Sequence, residues 1–356
     1  MRSLHIACLP YPSPQGTQAL IHRQLSALAL AGDDVHLLTY SSGNRDKGSL
    51  YSHQGCGGAN VSLRSGPSVA KALADLGMIR PLREAVRKFK PNVVVGHNVE
   101  GAAVAHLAQL DVPRLYMAHT RMDTELPTYF GARLRGAAGL LGRALDMMGA
   151  RADHVAAVSP WLAELFDGTY VPPPWEIPAS IEAAERDAAR RELGLQGMVG
   201  VYAGNLDAYQ DWRQILALRR RMTLVVATTS DASVLDGQVK HVLPLNDESD
   251  RRRIHALADV ALVPRGAAGG LPIKLIDALS RGVPVVASQV ALAGLAPDGV
   301  SVGETLAKAS LDEERNGGDG RRWVAEHAND VRFVRAMHEA VGIAIDKKAR
   351  SVEKWR

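Results

Sequence analysis

The chain has 356 residues, of which 46% are apolar, 22% charged and 5% aromatic. This composition excludes a disordered chain, a collagen-like repeat and a disulfide-framed miniprotein, and the length suits two domains with separate cores. Two cysteines, Cys8 and Cys56, are too few for a thiol metal cluster and suit the reducing cytoplasm. The formal net charge of +4 is compatible with anionic ligands and does not by itself indicate nucleic-acid binding.

The sequence offers no candidate for a membrane-spanning helix. No window approaches the roughly 20 uninterrupted apolar residues that cross a bilayer, and the apolar run at Leu4–Leu9 is shorter than a signal-peptide core. We therefore expect a cytoplasmic protein. A peripheral contact with the inner face of the membrane is left open.

Short β-like runs alternate with longer amphipathic stretches in the first half, which is typical of parallel sheets covered by helices. After Leu4–Leu9 comes the proline-rich loop Pro10–Gly16, and the apolar spacing of Thr17–Leu30 predicts a helix. Further strands are predicted at Val35–Thr39, Val93–Val95, Leu115–Met117 and Val155–Val158. The prediction is a doubly wound domain over residues 1–170.

Three consecutive prolines, Pro172–Pro174, cannot donate to a ladder and favour a stiff extended segment, so we predict a linker at residues 171–180. A second doubly wound domain is predicted at residues 181–325, with a helix at 326–356 returning to the first domain. The elements expected here are strands Val199–Ala203, Leu224–Thr228, Val242–Leu245, Val260–Val263 and Val283–Ala287, helices Ile181–Leu195, Ile273–Ser280 and Trp323–Ile345, and a loop at Asn316–Gly320. Two such domains predict a cleft between the carboxyl edges of their sheets, where ligands of this architecture bind.

The segment Ala268–Ala287 carries the most chemical information. Gly269 and Gly270 allow the backbone to approach a ligand closely, and Pro272 suits the first helical position. Lys274 falls in the first helical turn, where the dipole disfavours a cation unless an external anion is present. The alternative is an ordinary surface helix with an exposed lysine and aspartate.

The run Asp277–Val286 resembles the Glu-Ala-Met-Ala-x-Gly-x-Pro-Val-Val signature of GT-B glycosyltransferases of the family 4 type. The resemblance implies an α/β fold of two facing Rossmann-like domains and a retaining, metal-independent transfer of sugar from a nucleotide diphosphate sugar to a hydroxyl acceptor, without a cofactor. It places Asp277 on the ribose and Lys274 on the diphosphate, since a subset of the family has Pro-Leu-Lys where this chain has Pro272–Lys274. The donor-contacting residues implied in the same stretch are Gly269, Gly270, Leu271, Pro272 and Ile273.

Other segments are similar to the same family. Gly16 and Thr17 match its glycine-ended loop after the first strand, which approaches the donor phosphate, although a plain strand-to-helix turn is the alternative. His119 matches the family histidine that contacts the donor sugar, and with Lys274 it is the residue we expect in catalysis. A structural histidine is the alternative.

Two departures from the family pattern concern the donor site. Gly269 stands where the family usually has a glutamate facing the sugar, and the segment at Gly204 has Asn205 and Gln210 in place of an arginine and a lysine. Asparagine and glutamine hydrogen-bond phosphate without neutralising it. We expect Arg265 and Lys274 to replace the missing cations.

The acceptor side is less defined. His97, after the third predicted strand, and Asp123 and Glu125, in the polar loop after His119, are candidate acceptor-site residues, while solvated loop carboxylates are the alternative. The basic-apolar stretches Met78–Lys90 and Arg133–Arg151 suit either a lipid surface or helices packed on the sheet.

Two alternative functions stay open at this point. One is a sugar-nucleotide-binding protein of this fold whose catalysis has decayed, and the other is a sugar-nucleotide epimerase. The donor's base and sugar, the acceptor's identity as glycan, lipid or metabolite, and the oligomeric state are not encoded in any recognisable pattern.

Overall fold

The computed structural model describes residues 1–12, 16–41, 50–56, 66, 68–310 and 317–353. The chain divides into two compact units. The first comprises Met1–Pro174 and the stretch from Asn329 onward, and the second comprises Trp175–Ala328. Residues 13–15 of the proline-rich loop and Asn316 of the predicted glycine-rich loop lie outside the described residues.

The first unit is built on a seven-stranded parallel sheet of order β3-β2-β1-β4-β5-β6-β7. Its strands are β1 (Arg2–Tyr11), β2 (Asp34–Ser41), β3 (Ser52–Gly55), β4 (Val93–His97), β5 (Arg114–Ala118), β6 (His154–Ala157) and β7 (Thr169–Tyr170). The middle strands are largely apolar, with Ser3, His5 and His97 as buried polar exceptions, and every residue of β4 is buried. The edge strands β3 and β7 are short and polar, and apolar patterning did not reveal them.

The helices of the first half join these strands. They are α1 (Gly16–Leu30), α2 (Val69–Gly77), α3 (Ile79–Phe89), α4 (Asn98–Leu107), α5 (Met122–Glu125), α6 (Arg135–Gly149) and α7 (Pro160–Leu165). The two basic-apolar stretches of the sequence thus form α3 and α6. α3 buries Leu82 and Ala85, whereas α6 leaves Leu140, Leu141 and Met147 exposed.

The second unit has a six-stranded parallel sheet of order β10-β9-β8-β11-β12-β13. Its strands are β8 (Val199–Ala203), β9 (Thr223–Ala227), β10 (His241–Leu243), β11 (Val260–Val263), β12 (Val285–Ser288) and β13 (Val300–Gly303). Its helices are α8 (Ala183–Leu193), α9 (Glu248–Leu257), α10 (Ile273–Ser280) and α11 (Gly317–His327). Short 3₁₀ helices occupy Leu126–Tyr129 in the first unit and Ala208–Gln210, Trp212–Leu218, Ala232–Leu235, Gln289–Leu292 and Leu306–Lys308 in the second.

The predicted terminal helix is wrong in its bounds, because two helices occupy that region. α11 ends at His327, and α12 (Asp330–Glu353) begins after Asn329, whose side-chain oxygen accepts a hydrogen bond from the backbone N–H of Arg332 at 3.0 Å. Asparagine caps the start of a helix in this way, and the break falls at the unit boundary. The predicted loop at Asn316–Gly320 is also wrong for Gly317–Gly320, which opens α11.

α12 belongs to the first unit and packs against α1, β5, β6 and β7. Phe333, Met337 and Val341 of this helix are buried, at spacings of four residues that place them on one face. His338 hydrogen-bonds Asp33 in the turn before β2 through Nε2 at 2.7 Å. The last helix therefore completes the apolar cover of the first sheet.

α6 approaches the start of α5 so closely that only glycine fits at one position. A Cβ on Gly142 would lie 2.3 Å from the carbonyl oxygen of Met122 and 2.7 Å from the Cα of Asp123. One turn later, the buried Asp146 accepts hydrogen bonds from the backbone N–H groups of both residues at 3.1 Å. The base of the loop after β5 is thus held on α6.

Gly142→Ala should lower the free energy of unfolding by about 1–3 kcal/mol, because the added methyl group forces α6 away from α5. Gly136→Ala on the same helix is the matched control. Apart from its own stretch of helix, no described atom lies within 4 Å of the position that its added methyl group would take, and alanine's helix propensity should leave the free energy of unfolding unchanged or raise it by up to about 1 kcal/mol. Urea unfolding of both variants measures the difference, and equal effects would contradict the close approach.

Candidate functional site

The second unit places its candidate site at the point where the strand order reverses. β8 is flanked by β9 on one side and by β11 on the other, and these two strands lead away in opposite directions. Ligands in open parallel sheets bind beyond the carboxyl ends of the strands at such a switch point. Gly204 and Asn205 follow β8, and Arg265 follows β11, so three of the predicted donor residues lie at this edge.

α10 begins at the same edge with its N-terminus uncapped by any side chain. Pro272 occupies the N-cap position with φ −78° and ψ 97°, and it makes no side-chain cap hydrogen bond. Ile273 opens the helix, and the residues before it include the buried Gly269, Gly270 and Leu271. The N–H of Leu275 donates to the carbonyl oxygen of Pro272 at 2.8 Å, so the N–H groups of Ile273 and Lys274 and the positive end of the helix dipole are those available to an anion.

Lys274, in the first turn of α10, has neutral hydrogen-bond partners. Its ammonium group donates to the Oε1 atom of Gln210 at 2.7 Å and to the hydroxyl of Tyr202 at 3.2 Å, and it lies 4.4 Å from the centroid of the Tyr202 ring. Burial and the nearby positive charge of Arg265 lower the pKa of Lys274 to about 7. The structure thus holds a lysine whose protonated form is disfavoured by its surroundings and becomes favoured when a negative charge approaches.

The loop after β8 shapes the other side of this lysine. The Tyr202 hydroxyl donates to the backbone carbonyl of Asn205, and the Asn205 side-chain amide donates to Asp207 at 2.6 Å. Gly204, at φ +156°, adopts a backbone conformation that glycine tolerates, and a Cβ there would lie 3.2 Å from the Lys274 nitrogen. Asn205 is therefore engaged with Asp207, while Gln210 orients Lys274.

Arg265 lies beside the position at which the family has its glutamate. Its guanidinium group donates from Nη1 to the carbonyl oxygen of Gly270, and its Nη2 atom lies 3.4 Å from where a Cβ on Gly269 would stand. The absence of a side chain at Gly269 leaves this space to the arginine. Arg265 and Lys274, the two predicted replacement cations, are thus both at the amino end of α10.

Asp277 lies one turn further along α10 and is engaged by basic side chains. It is 5% exposed, and its Oδ1 atom accepts a hydrogen bond from the Arg281 Nε at 3.0 Å. Its Oδ2 atom lies 3.9 Å from Arg251 and 3.9 Å from His255 of α9. Burial alone would raise the pKa of this carboxyl, but these three groups hold it below its usual range. The structure gives Asp277 a structural role in addition to the predicted ribose contact.

In the first unit, His97 and His119 meet at the carboxyl edge of the sheet. His97 ends β4 and His119 follows β5, and the Nδ1 atom of His97 lies 3.0 Å from the Nε2 atom of His119. Both rings are buried, and burial lowers the pKa of His119 to about 3. These two histidines are therefore neutral at physiological pH, which excludes His119 as a cation at the site.

The two predicted loop acids have local partners. Asp123 forms an ion pair with Arg121, and its backbone N–H is held by Asp146. Glu125 accepts hydrogen bonds from the hydroxyl groups of Thr120 and Tyr129, the latter at 3.1 Å. The predicted loop is wrong here, because both residues lie in the short helix α5, and among the described contacts neither carboxylate reaches His119.

Gly16 and Thr17 open α1 at the same edge of the first unit. Within the described ranges, no group of three or more histidine, cysteine or acidic side chains could hold a metal ion. Nor, in that same part of the chain, is any helix both long and apolar enough to cross a membrane.

Sequence patterns missed several residues of these sites. Tyr202 contacts Lys274, and Ser3 and His5 extend the histidine pair into the sheet, but all three stand in apolar strands where a single polar residue has no distinctive spacing. Glu100, in the first turn of α4, was also missed, although burial raises its pKa to about 7. Only the strand register and the three-dimensional contacts identify them.

Comparison with known proteins is informative once this geometry is known. Residues 14–178, which cover most of the first unit, match the family model described as Glycosyltransferase Family 4. The first unit is thus similar to Glycosyltransferase Family 4 domains. The match agrees with the resemblance to family 4-type GT-B glycosyltransferases that the motifs indicated. No curated protein matches the sequence.

Solved structures share the fold of this chain at low sequence identity. The structure of HepE from Anabaena in complex with UDP and glucose has a TM-score of 0.69 at 13% identity, over 96% of this chain and 99% of that one. Sucrose-phosphate synthase from Thermosynechococcus elongatus has a TM-score of 0.64 at 15% identity, over 100% and 98%. The catalytic domain of starch synthase IV from Arabidopsis thaliana, bound to ADP and acarbose, has a TM-score of 0.65 at 11% identity, over 97% and 99%. The GT-B fold predicted from the sequence is confirmed.

Asp277→Asn should lower the free energy of unfolding at pH 7 by about 1.5–3 kcal/mol, because the buried Arg281 loses one of its two carboxylate partners and keeps only Glu248. The pKa of Asp277 is lower in the folded than in the unfolded chain, so its contribution is complete above the unfolded pKa of about 4 and disappears as the pH falls through the folded value. The difference in the free energy of unfolding between Asp277→Asn and the wild type should therefore become smaller at acidic pH.

Asp319→Asn is the control for this effect, since Asp319 pairs with Arg322 at the surface, where an ion pair contributes about 0–1 kcal/mol. Chemical unfolding at pH 7 and at acidic pH measures both variants. Equal losses at pH 7 would show that Asp277 does not stabilise Arg281.

Proposed function

We propose that this glycosyltransferase moves a glycosyl unit from a nucleoside diphosphate sugar to a hydroxyl group of an acceptor. The observation that supports it best is the position of Lys274 at the amino end of α10, with neutral partners and a lowered pKa. A lysine in that position is electrostatically disfavoured by the helix dipole and by Arg265. A bound diphosphate would offset this unfavourable interaction, because its negative charge would stabilise the protonated form of Lys274.

In this proposal the diphosphate is bound by three features of the second unit. The free N–H groups of α10 donate to its oxygens, Lys274 and Arg265 supply positive charge, and the absence of side chains at Gly269 and Gly270 allows close approach. Asn205 and Gln210, which stand where the family has two cations, then act indirectly. Gln210 holds the lysine in place and Asn205 forms part of the loop beside it.

We further propose that transfer proceeds with retention and without a metal ion. The bond between the anomeric carbon and the diphosphate oxygen breaks, the acceptor oxygen bonds to that carbon on the same face, and its proton passes to the leaving phosphate. Lys274 and Arg265 stabilise the negative charge that develops on the leaving group, which is the role a divalent cation has in other transferases. His119, neutral by burial, is assigned to the donor sugar by the family resemblance.

The base of the donor is left to experiment. HepE was solved with UDP and with UDP-glucose, and starch synthase IV was solved with ADP, so proteins of this fold bind nucleotides with different bases. We therefore propose a nucleoside diphosphate sugar as the donor class and test its members together.

The acceptor is proposed to carry a hydroxyl group and to be presented near a lipid surface. α6 exposes 73% of Leu140, together with Leu141 and Met147, and Arg143 lies on the same helix. An amphipathic helix with basic residues binds anionic lipid in this way. This supports a peripheral contact with the membrane.

A protein that binds the donor without catalysis is the second candidate. Gly269 favours it, because the family's glutamate, which faces the donor sugar, has no counterpart at this position. Both candidates predict donor binding, and only the transferase predicts release of nucleoside diphosphate.

The purified protein should release nucleoside diphosphate from at least one of UDP-, GDP- and ADP-glucose, and Lys274→Ala should raise the dissociation constant for that donor by a factor of about 10 or more, since a charge-assisted bond contributes about 1.5–3 kcal/mol. The melting temperature of Lys274→Ala should change little. Lys274→Arg is the control, because it keeps the positive charge and should retain most of the affinity.

Donor binding without release of nucleoside diphosphate would support the binding protein over the transferase. If Lys274→Ala binds the donor with unchanged affinity, Lys274 does not contact the diphosphate.

A further inference from the structure

Four buried polar side chains form a continuous hydrogen-bonded series through the first sheet. The Oγ atom of Ser3 lies 3.0 Å from Nε2 of His5, the Nδ1 atom of His5 lies 3.0 Å from Nε2 of His97, and the Nδ1 atom of His97 lies 3.0 Å from Nε2 of His119. Ser3 is 0%, His5 and His97 are 1% and His119 is 7% exposed. The series thus leads from the amino end of β1 to the carboxyl edge of the sheet.

The strand register explains why these side chains meet. Ala7 of β1 pairs with His97 of β4, and His97 pairs with Met117 of β5. Paired residues of parallel strands share a face, as do residues two apart on one strand. His5, two residues before Ala7, and His119, two residues after Met117, therefore lie on the same face as His97, one step back and one step forward along the strands.

Each link of the series holds one proton, which leaves only two arrangements. Burial lowers the pKa of His5, His97 and His119, so each ring is neutral and carries one N–H. If the outer nitrogen of His119, Nδ1, carries its proton, then Nε2 must accept from His97, His97 must accept from His5, and His5 must accept from Ser3. If Nδ1 of His119 is bare, every proton in the series points the other way.

The Ser3 hydroxyl distinguishes the two arrangements. In the reversed arrangement His5 donates to Ser3, and the hydroxyl proton of Ser3 needs another acceptor. Ser3 is inaccessible to water, and among the described residues its hydroxyl has no hydrogen-bond partner other than His5. A buried donor without an acceptor is unfavourable, so Ser3 donates to His5 and the whole series points toward the carboxyl edge.

We propose that Ser3, His5 and His97 are positioning residues that fix His119 as the tautomer protonated on Nδ1, so that His119 presents a hydrogen-bond donor at the carboxyl edge of the sheet. The group that His119 contacts must then offer a lone pair. A sugar hydroxyl or ring oxygen meets this requirement, whereas an ammonium group does not. This use of His119 rests on the proposed function, but the tautomer itself does not.

The direct test is a long-range ¹⁵N–¹H correlation spectrum of the histidine-labelled full-length protein at neutral pH, without nucleotide. The His119→Gln variant identifies the His119 signals by their loss. The expected result is a proton on Nδ1 of His119 and a bare Nε2. A proton on Nε2, or protons on both nitrogens, would overturn the proposal.

Variants of Ser3 separate positioning from packing. Ser3→Ala removes the hydroxyl that orients the series, and the Nε2-protonated form of His119 should become populated, with turnover falling in proportion to the loss of the Nδ1-protonated form. Ser3→Thr keeps the hydroxyl and should keep the wild-type tautomer. If Ser3→Ala has a lower melting temperature but an unchanged His119 tautomer, Ser3 contributes only to the stability of the fold and the proposed positioning role is wrong.

The two proposals fail in different ways. If wild-type His119 is protonated on Nδ1 but no donor is turned over, the assigned tautomer holds and the proposed transferase function fails. If donor is turned over but His119 is protonated on Nε2, the transferase function holds and the assigned tautomer fails.

Discussion

Positive charge at the amino end of α10 is the constraint on which the second unit depends. Lys274 is placed in the first helical turn, next to Arg265 and over the ring of Tyr202, with the neutral oxygen of Gln210 as its closest partner. Burial and the neighbouring cation Arg265 lower its pKa to about 7. An arrangement that is unfavourable alone and becomes favourable with an anion is typical of a binding site.

The carboxyl edge of the first sheet carries neutral side chains rather than positive charge. Its histidines are neutral, because burial lowers their pKa values, and they act through the direction of their hydrogen bonds. A donor whose proton position is set by Ser3 recognises an uncharged oxygen without attracting a phosphate. The edge of the second sheet thus offers charge at α10, and the edge of the first sheet offers neutral histidines.

The sequence predicted the strands of both sheet centres well, because Val93–Val95 and Val260–Val263 are apolar runs bounded by turns. It missed the polar edge strand Ser52–Gly55 and the break at Asn329, which depend on pairing and capping rather than on apolar spacing. Glycines and a proline before Lys274 indicated an anion site, and the family resemblance added His119. The partners of these residues, such as Tyr202 and His5, come from other strands, and only the register of the folded sheet brings them together.

Hydrogen exchange of the full-length protein, with and without a bound nucleoside diphosphate sugar, tests the central claim most directly. The free N–H groups at the start of α10 should exchange more slowly when the donor is bound, so peptides spanning residues 269–275 should show protection. Protection of those residues in wild type, and its loss in Lys274→Ala at the same donor concentration, is the predicted result. A donor that binds while residues 269–275 exchange at an unchanged rate would contradict the account.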